Sequence, residues 1–354
     1  MLKDEKVMPA PRIKVNNSLS EKLFGHNFLL FVTIILFIAM YVVGLFAFAD
    51  KNFNTLQAFL NLLISNSGLI IASVGMTMVL ITGGIDISVG GVVTVTCVAM
   101  ASMMEKAHMD AFSTMGIMIA FGIVFGLMQG FLVAYLKIQP FIVTLAGMFL
   151  TKGLAAVISL EMITVTNQTF LNMAQFKIYL PFGGATNANG VTLMPFVYPT
   201  VILALVILAV AYIILKYTKF GRRIYAVGGN EQSALLMGLN VKRTKLVVYM
   251  LSGLLATIGG IAFCMNTVGA FLEIGKNFEM DSIAATVIGG TSLMGGVGNV
   301  IGTLFGVLIK AAIEAFVSFQ GNISSWWAKI IISAILAFFI VLQSLLASRK
   351  SKRR

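Results

Sequence analysis

The sequence predicts an all-α, polytopic membrane protein of about ten transmembrane helices, with both termini in the cytoplasm. Three observations carry that expectation. The 354 residues are 58% hydrophobic and only 11% charged, with a mean hydropathy of +0.96, far more apolar surface than one soluble core could hide. The apolar residues fall into windows of about 20, the length that crosses a bilayer as a helix. The basic residues gather on alternate sides of those windows, as cytoplasmic loops do.

In order, the windows cover residues 28–49, 58–82, 87–104, 112–136, 140–160, 194–216, 246–268, 280–295, 299–318 and 327–347. Ahead of the first lies a basic arm, residues 1–27, with Lys3, Lys6, Arg12, Lys14 and Lys22. Ala47-Phe48-Ala49 imitates a signal-peptidase site. The apolar run before it exceeds the roughly 7–15 residues of a secretory core, so a retained first helix is expected. Lys137 follows the fourth window, Lys216 to Lys245 the sixth, and a basic tail at 349–354 the last. An even number of crossings puts all of these in the cytoplasm, and the permease domain is expected to run from 28 to 348. Lys51, Lys106 and Lys276 have acidic neighbours and fall outside, with Lys177 as an unbalanced exception.

Two connections are long. Residues 161–193 form a polar external loop with Asn167, Asn172, Asn187 and Asn189, able to hold a short interfacial segment. Residues 216–245 form the most basic internal loop, where a cytoplasmic partner should bind.

Between Met76 and Gly91, Asp86, three hydroxyls and four glycines sit in a stretch apolar enough for the bilayer. A carboxylate at membrane depth is costly unless it faces protein or water, so Asp86 marks a polar interior. The pairs Gly83-Gly84 and Gly90-Gly91 are echoed by Gly289-Gly290 and Gly295-Gly296, six spans later and in the same orientation. Such repeats place broken or glycine-rich helices at a transport path, although glycine pairs equally serve as close-packing points between helices.

Signatures of catalysis are thin. His26 and His108 have no nucleophile in a recognisable setting. Cys97 and Cys264 have no His or Cys at ligand spacing, so neither a metal site nor a disulfide framework is supported. The stretch Gly269 to Lys276 fails the phosphate-loop spacing, and Gly296-x-Gly298 lacks the third glycine or alanine of a dinucleotide fold. No cofactor is expected, and ATP, if it powers this chain, must be hydrolysed by another subunit. The net charge of +12 is spread over arm, loop and tail with few aromatics between, which argues against nucleic acid.

The basic loop carries a further signal. From Asn230 to Met237 a short helix is expected, with Asn230 as its cap, Gln232 and Ser233 in its first turn and Gly238 ending it. Leu235, Leu236 and Met237 then form an apolar knob in water, which reads as a docking surface or as packing beneath the bundle.

Several of these segments resemble the permease of a bacterial ABC-type monosaccharide importer of the ribose, galactose and xylose group. The resemblance covers nearly the whole chain from about Phe53 and is nearest to permeases of galactofuranose importers. It rests on Gly75-Met76-Thr77, Gly83-Gly-Ile-Asp-Ile-Ser-Val-Gly90, Thr144-Leu-Ala-Gly-Met148, Tyr225-Ala-Val-Gly-Gly-Asn230, Ala234-x-x-x-Gly238, Val287-Ile-Gly-Gly290 and Ser324-Ser-Trp-Trp327. It implies a non-catalytic subunit of the inner membrane whose internal loop, from Gly229 to Gly238, docks on an ABC ATPase. It also implies a sugar-binding protein that delivers the monosaccharide and a second permease subunit, a paralogue on the galactofuranose pattern. Gln232 stands where the family's coupling motif has a glutamate, and Ser233 where it has its first alanine, which removes the carboxylate that a salt bridge there would need. No shared motif covers the N-terminal arm or residues 164–192.

Translocation needs weak contacts, because tight binding would slow release. Thr82, Asp86, Ser88, Gln129, Asn266 and Thr291 are the polar groups expected near the path, with Asp86 alternatively capping a half-helix. The competing reading is an ion-coupled secondary transporter with Asp86 as its ion site, which leaves the knob at Leu235 to Met237 without a purpose. A membrane-embedded enzyme ranks last: Glu161, Glu273, Glu279 and Asp281 sit near external ends and Glu314 stands isolated.

Overall fold

The computed structural model describes residues 28–186, 192–321, 324 and 326–351. The expectations for residues 1–27, for Asn187 and Asn189 and for the last three residues of the tail lie outside that range.

Among the described residues, eight helices are long and apolar enough to cross a membrane. They are α1 (Phe28–Ala47), α2 (Leu56–Ile81), α4 (Ala111–Ala134), α5 (Pro140–Ile158), α7 (Pro199–Tyr217), α10 (Val241–Thr267), α12 (Val300–Gln320) and α13 (Trp326–Ser351). The third and eighth sequence windows form shorter helices, α3 (Val89–Glu105, 17 residues) and α11 (Phe278–Ile288, 11 residues). At 1.5 Å per residue α11 is about 16 Å long, half of a bilayer core. The window drawn at 280–295 therefore overreaches, because the chain leaves the helix at Gly289, and Gly290, Gly295 and Gly296 take positive φ. Shorter helices are α6 (Gln168–Gln175), α8 (Lys219–Gly229) and α9 (Glu231–Leu236).

Local chemistry fixes where these helices begin. Thr55 caps α2, Asp110 caps α4, Asn167 caps α6, Asn240 caps α10 and Asn299 caps α12, each accepting a bond from a backbone N–H of the first turn. Pro140 and Pro199 open α5 and α7, where the missing N–H has no intrahelical partner to lose.

Packing depends on small residues. Gly122, Gly126 and Gly130 put one bare stripe of α4 against the backbone of α10 at Gly253, Met250 and Leu246. Gly68 of α2 meets Gly259 on the same helix α10. Between helices that gain nothing by leaving lipid, such close backbone approach supplies the attraction. α10 thus packs along both α4 and α2, while α12 and α7 cover other faces of α2. From Ser67 to Ile81 every residue of α2 is buried.

The bundle has two unlike ends. At one, three two-stranded antiparallel pairs close the loops: β1 (Ile163–Thr164) with β6 (Gly269–Ala270), β2 (Ile178–Tyr179) with β5 (Phe196–Val197), and β3 (Ala185–Thr186) with β4 (Thr192–Leu193). There the Glu105 carboxylate accepts bonds from the Thr166 N–H, the Thr166 hydroxyl and the Asn167 N–H at 2.6–3.1 Å. Lys51 donates to the Phe319 carbonyl, and Lys177, the unbalanced cation of this loop region, stands 4.5 Å over the Phe196 ring. The long polar loop does contain a short helix, α6, anchored by fully buried Phe170. At the other end lie the non-helical segments 82–88 and 289–299 and the pair α8–α9.

Candidate functional site

The first break, residues 82–88, is built around Asp86, which is 1% exposed. One carboxylate oxygen accepts the Ser88 N–H at 3.0 Å and the Ser88 hydroxyl at 2.6 Å; the other accepts the Ser252 hydroxyl of α10 at 2.6 Å. The bond to the Ser88 N–H lies just ahead of α3, as a carboxylate does at a helix start. The Gln129 amide oxygen is placed 3.2 Å from the same Ser88 hydroxyl, whose single proton the carboxylate already takes. Turning that amide so that its NH2 donates to the Ser88 oxygen removes the conflict of two acceptors and gives an ordered chain Gln129–Ser88–Asp86–Ser252. Gly147 of α5 leaves the room that the Gln129 amide fills, and Gly84 the room for the Tyr249 hydroxyl. Asp86 thus accepts three hydrogen bonds inside the protein, holding α2, α3, α4 and α10 in register.

The second break, residues 289–299, carries no charge. Its turns are backbone turns: the Ser292 N–H donates to the Val297 carbonyl at 2.9 Å, and the Gly295 N–H to the Ser292 carbonyl at 3.2 Å. From α13, the Gln343 amide nitrogen lies 3.2 Å from the carbonyls of both Val287 and Thr291.

The two breaks touch. The Gly296 N–H donates to the Ile81 carbonyl at 2.8 Å, and a side chain on Gly295 would collide with the Gly83 backbone. A third glycine pair joins them from α8: a Cβ on Gly228 would overlap the Ile81 carbonyl oxygen and crowd the Gly296 nitrogen. The Tyr225 hydroxyl of α8 donates to the Gly298 carbonyl at 2.8 Å. Burial raises that phenol above its ordinary range, so it stays a donor at neutral pH.

Beyond this junction α9 projects from the bundle. Asn230 caps it through the Ser233 N–H at 2.8 Å, and Gly238, at φ +75°, reverses the chain as a left-handed C-terminal residue. Ala234 is completely buried against Val227 and Val241, whereas Leu235, Leu236 and Met237 are 54%, 90% and 67% exposed. Gln232 and Ser233 face outward, and Glu231 pairs with Lys245 at 2.7 Å. Of the two readings of the knob, the geometry favours an exposed surface on an anchored turn over packing beneath the bundle.

The six expected path residues do not form one site. Asp86, Ser88 and Gln129 come together; Thr82, with its hydroxyl on the Val79 carbonyl, lies at the start of the same break. Thr291 belongs to the second break. Asn266 is far along α10 toward the strand end, donating to the Ile64 carbonyl at 2.8 Å and to the Ser67 hydroxyl at 3.0 Å. Sequence reasoning missed three ion pairs. Lys152 of α5 meets buried Glu279 at 3.3 Å, and Lys310 meets Asp281 at 3.2 Å and Glu314 at 2.9 Å. Glu314 is therefore not isolated. A lone lysine inside each apolar window, and the i,i+4 spacing of Lys310 and Glu314, were the signals.

A helical membrane bundle with two interrupted helices, linked through backbone to an exposed apolar turn, has the build of a transport permease. The chain belongs to the family described as "Branched-chain amino acid transport system / permease component", whose model matches residues 58–340. It is 38% identical to the inner membrane ABC transporter permease protein YjfF of Escherichia coli K12, over 90% of this chain and 92% of that one. It is 36% identical to the fructose import permease protein FruG of Bifidobacterium longum, over 88% of each chain. With the ribose import permease protein RbsC of Escherichia coli K12 it shares 36% identity over 83% of this chain and 87% of that one. No solved structure matches the chain.

Proposed function

We propose that this chain is the inner-membrane permease subunit of an ATP-driven monosaccharide importer. One observation carries the reading furthest: the exposed Leu235-Leu236-Met237 turn is anchored by Ala234 and leads through α8 to both helix breaks. A turn of that kind has a use only if a soluble partner grips it, and the partner that fits is a separate ABC ATPase, since no nucleotide motif occurs in this sequence. Import permeases for ribose and fructose among the relatives support a monosaccharide as the cargo, and galactofuranose is the first sugar to test. A sugar-binding protein delivers the sugar, and a second permease subunit, another copy or a paralogue, completes the path.

In this reading ten segments cross the bilayer, the eight long helices plus α3 and α11. The charge pattern supports a cytoplasmic arm, 216–245 loop and tail, so that the breaks lie at the cytoplasmic side and the strand pairs outside. Asp86, Ser88 and Gln129 frame the inner end of the path, with Thr82 and Thr291 beside them, and serve as structure more than as sugar ligands. Binding and hydrolysis of ATP move α9, and the glycine junction passes that displacement to both breaks.

The test is reconstitution in proteoliposomes with and without the ATPase subunits. Sugar uptake is expected only with the ATPase and ATP. Uphill uptake by the chain alone, driven by a proton or sodium gradient, would establish the ion-coupled reading instead.

A further inference from the structure

The faces that α1 and α7 turn outward are apolar along their length: Phe31, Ile35, Ile38 and Val42 on one, Ile202, Val206, Val210 and Ile213 on the other. One face of the bundle breaks this rule. Near the strand end, α2 exposes Asn61 and Ser65 opposite Glu314 and Ser318 of α12. Between them is a cavity of about 480 Å³, with Asn66 among its lining residues. Ser65 lies nine residues beyond Leu56 and Glu314 six before Gln320, so the cavity reaches about 9–14 Å from the helix ends, well into a hydrocarbon core about 30 Å thick. Lipid does not tolerate an exposed amide and an exposed carboxylate at that depth.

Its chemistry also selects an occupant. The volume falls in the roughly 300–1,000 Å³ of small-molecule sites and is far larger than a bare ion needs. Its walls offer amides and hydroxyls, groups that both donate and accept, together with one carboxylate, Glu314, whose charge Lys310 engages, and one lysine, Lys51, which donates to the Phe319 carbonyl. A neutral ligand with many hydroxyls matches such walls, since each of its hydroxyls also donates and accepts. Half-buried Phe319 in the lining adds an apolar surface for the C–H side of a sugar ring.

We infer that the cavity between α2 and α12 is a water-filled vestibule where a monosaccharide rests after entering the permease and before it reaches the breaks. The inference rests on the sugar-import reading, and deepens it by assigning the entry site to Asn61, Ser65, Asn66, Glu314 and Ser318.

The test uses the complete transporter in proteoliposomes, carrying Ser65→Cys or, as a lipid-facing control, Val206→Cys. Native Cys97 and Cys264 are buried. The probe is a charged, membrane-impermeant methanethiosulfonate reagent, which modifies only thiols that meet water. Ser65→Cys is expected to react at least about tenfold faster than Val206→Cys, and a sugar that the wild type imports should slow the reaction several-fold. Asn61→Leu should reduce uptake by about tenfold while leaving the melting temperature unchanged or higher. Equal, slow labelling of both cysteines would overturn the vestibule in favour of lipid contact. Reactivity in the isolated chain that disappears in the complex would overturn it in favour of a subunit interface. Protection by sugar-free binding protein but not by sugar alone would overturn it in favour of a docking surface. If wild type imports none of ribose, fructose, galactopyranose or galactofuranose, the sugar reading fails and takes the vestibule with it; import by wild type with unprotected Ser65→Cys overturns the vestibule alone.

Discussion

The two helix breaks share their glycine pairs, their end of the bundle and their contact with α8, yet they are held in opposite ways. The first is held by a charge: Asp86 gathers Ser88 and Ser252 at 2.6–3.0 Å and draws Gln129 in behind them. The second is held by backbone turns that only glycine adopts easily, with one amide, Gln343, reaching in from α13. A carboxylate that accepts three bonds resists deformation, because each bond lost leaves a buried polar group without a partner. A backbone turn tied by neutral groups alone, Gln343 and the Tyr225 hydroxyl among them, yields more readily. In the proposed mechanism the first break is the stiffer frame and the second the more mobile part, and the glycine junction between them is the bearing on which α8 acts.

That contrast can be broken in graded steps. Gly228→Val strikes the junction itself, and overpacking against the Ile81 carbonyl should lower stability by about 3 kcal/mol and abolish coupled uptake, measured by thermal unfolding in detergent and by transport in proteoliposomes. Asp86→Asn keeps one acceptor oxygen and loses the charge; a loss of about 2 kcal/mol with sharply reduced uptake is expected. Unchanged stability and uptake in that variant would leave Asp86 without the framing role. Gly290→Ala, in the looser break, should cost only about 1 kcal/mol through its positive φ, and a penalty larger than that of Asp86→Asn would reverse the assignment of frame and moving part. Leu236→Asp touches neither break. Its stability should change by less than about 0.5 kcal/mol, while the ATPase no longer co-purifies and ATP hydrolysis no longer drives uptake; an intact, active complex would show that the knob is not the grip.

Much of this was legible in the sequence, and the reason lies in the solvent. A bilayer demands about 20 apolar residues per crossing, so eight of the ten windows fell on helices long enough to cross and the other two on the shorter α3 and α11. The α9 turn was equally readable, since an Asn cap and a terminal Gly are local signals that need no tertiary partner. What stayed hidden was set by residues distant in the chain. Nothing near Glu279 announces Lys152, 127 positions away, and nothing in the sequence says that Gly83, Gly228 and Gly295 meet. Grouping Asn266 with Asp86 failed for a similar reason: polarity along an apolar run flags a residue but not its depth. The length of α11 was misread because Gly289-Gly290 ends a helix without interrupting the hydrophobic pattern.

The nearly complete enclosure of α2 has a consequence for how the protein is made. Newly synthesised, this segment leaves the ribosome second, long before α10 and α12 exist to surround it. Its Asn66, Ser67, Ser73 and Thr77 must then face lipid or remain within the insertion machinery, because their eventual neighbours are made later. Ser73 ends beside Ser282, and Thr77 beside Thr303, both over 200 residues downstream. Completion of the permease is therefore a late event in biogenesis, and a chain truncated before α12 would expose a polar stripe that marks it for quality control.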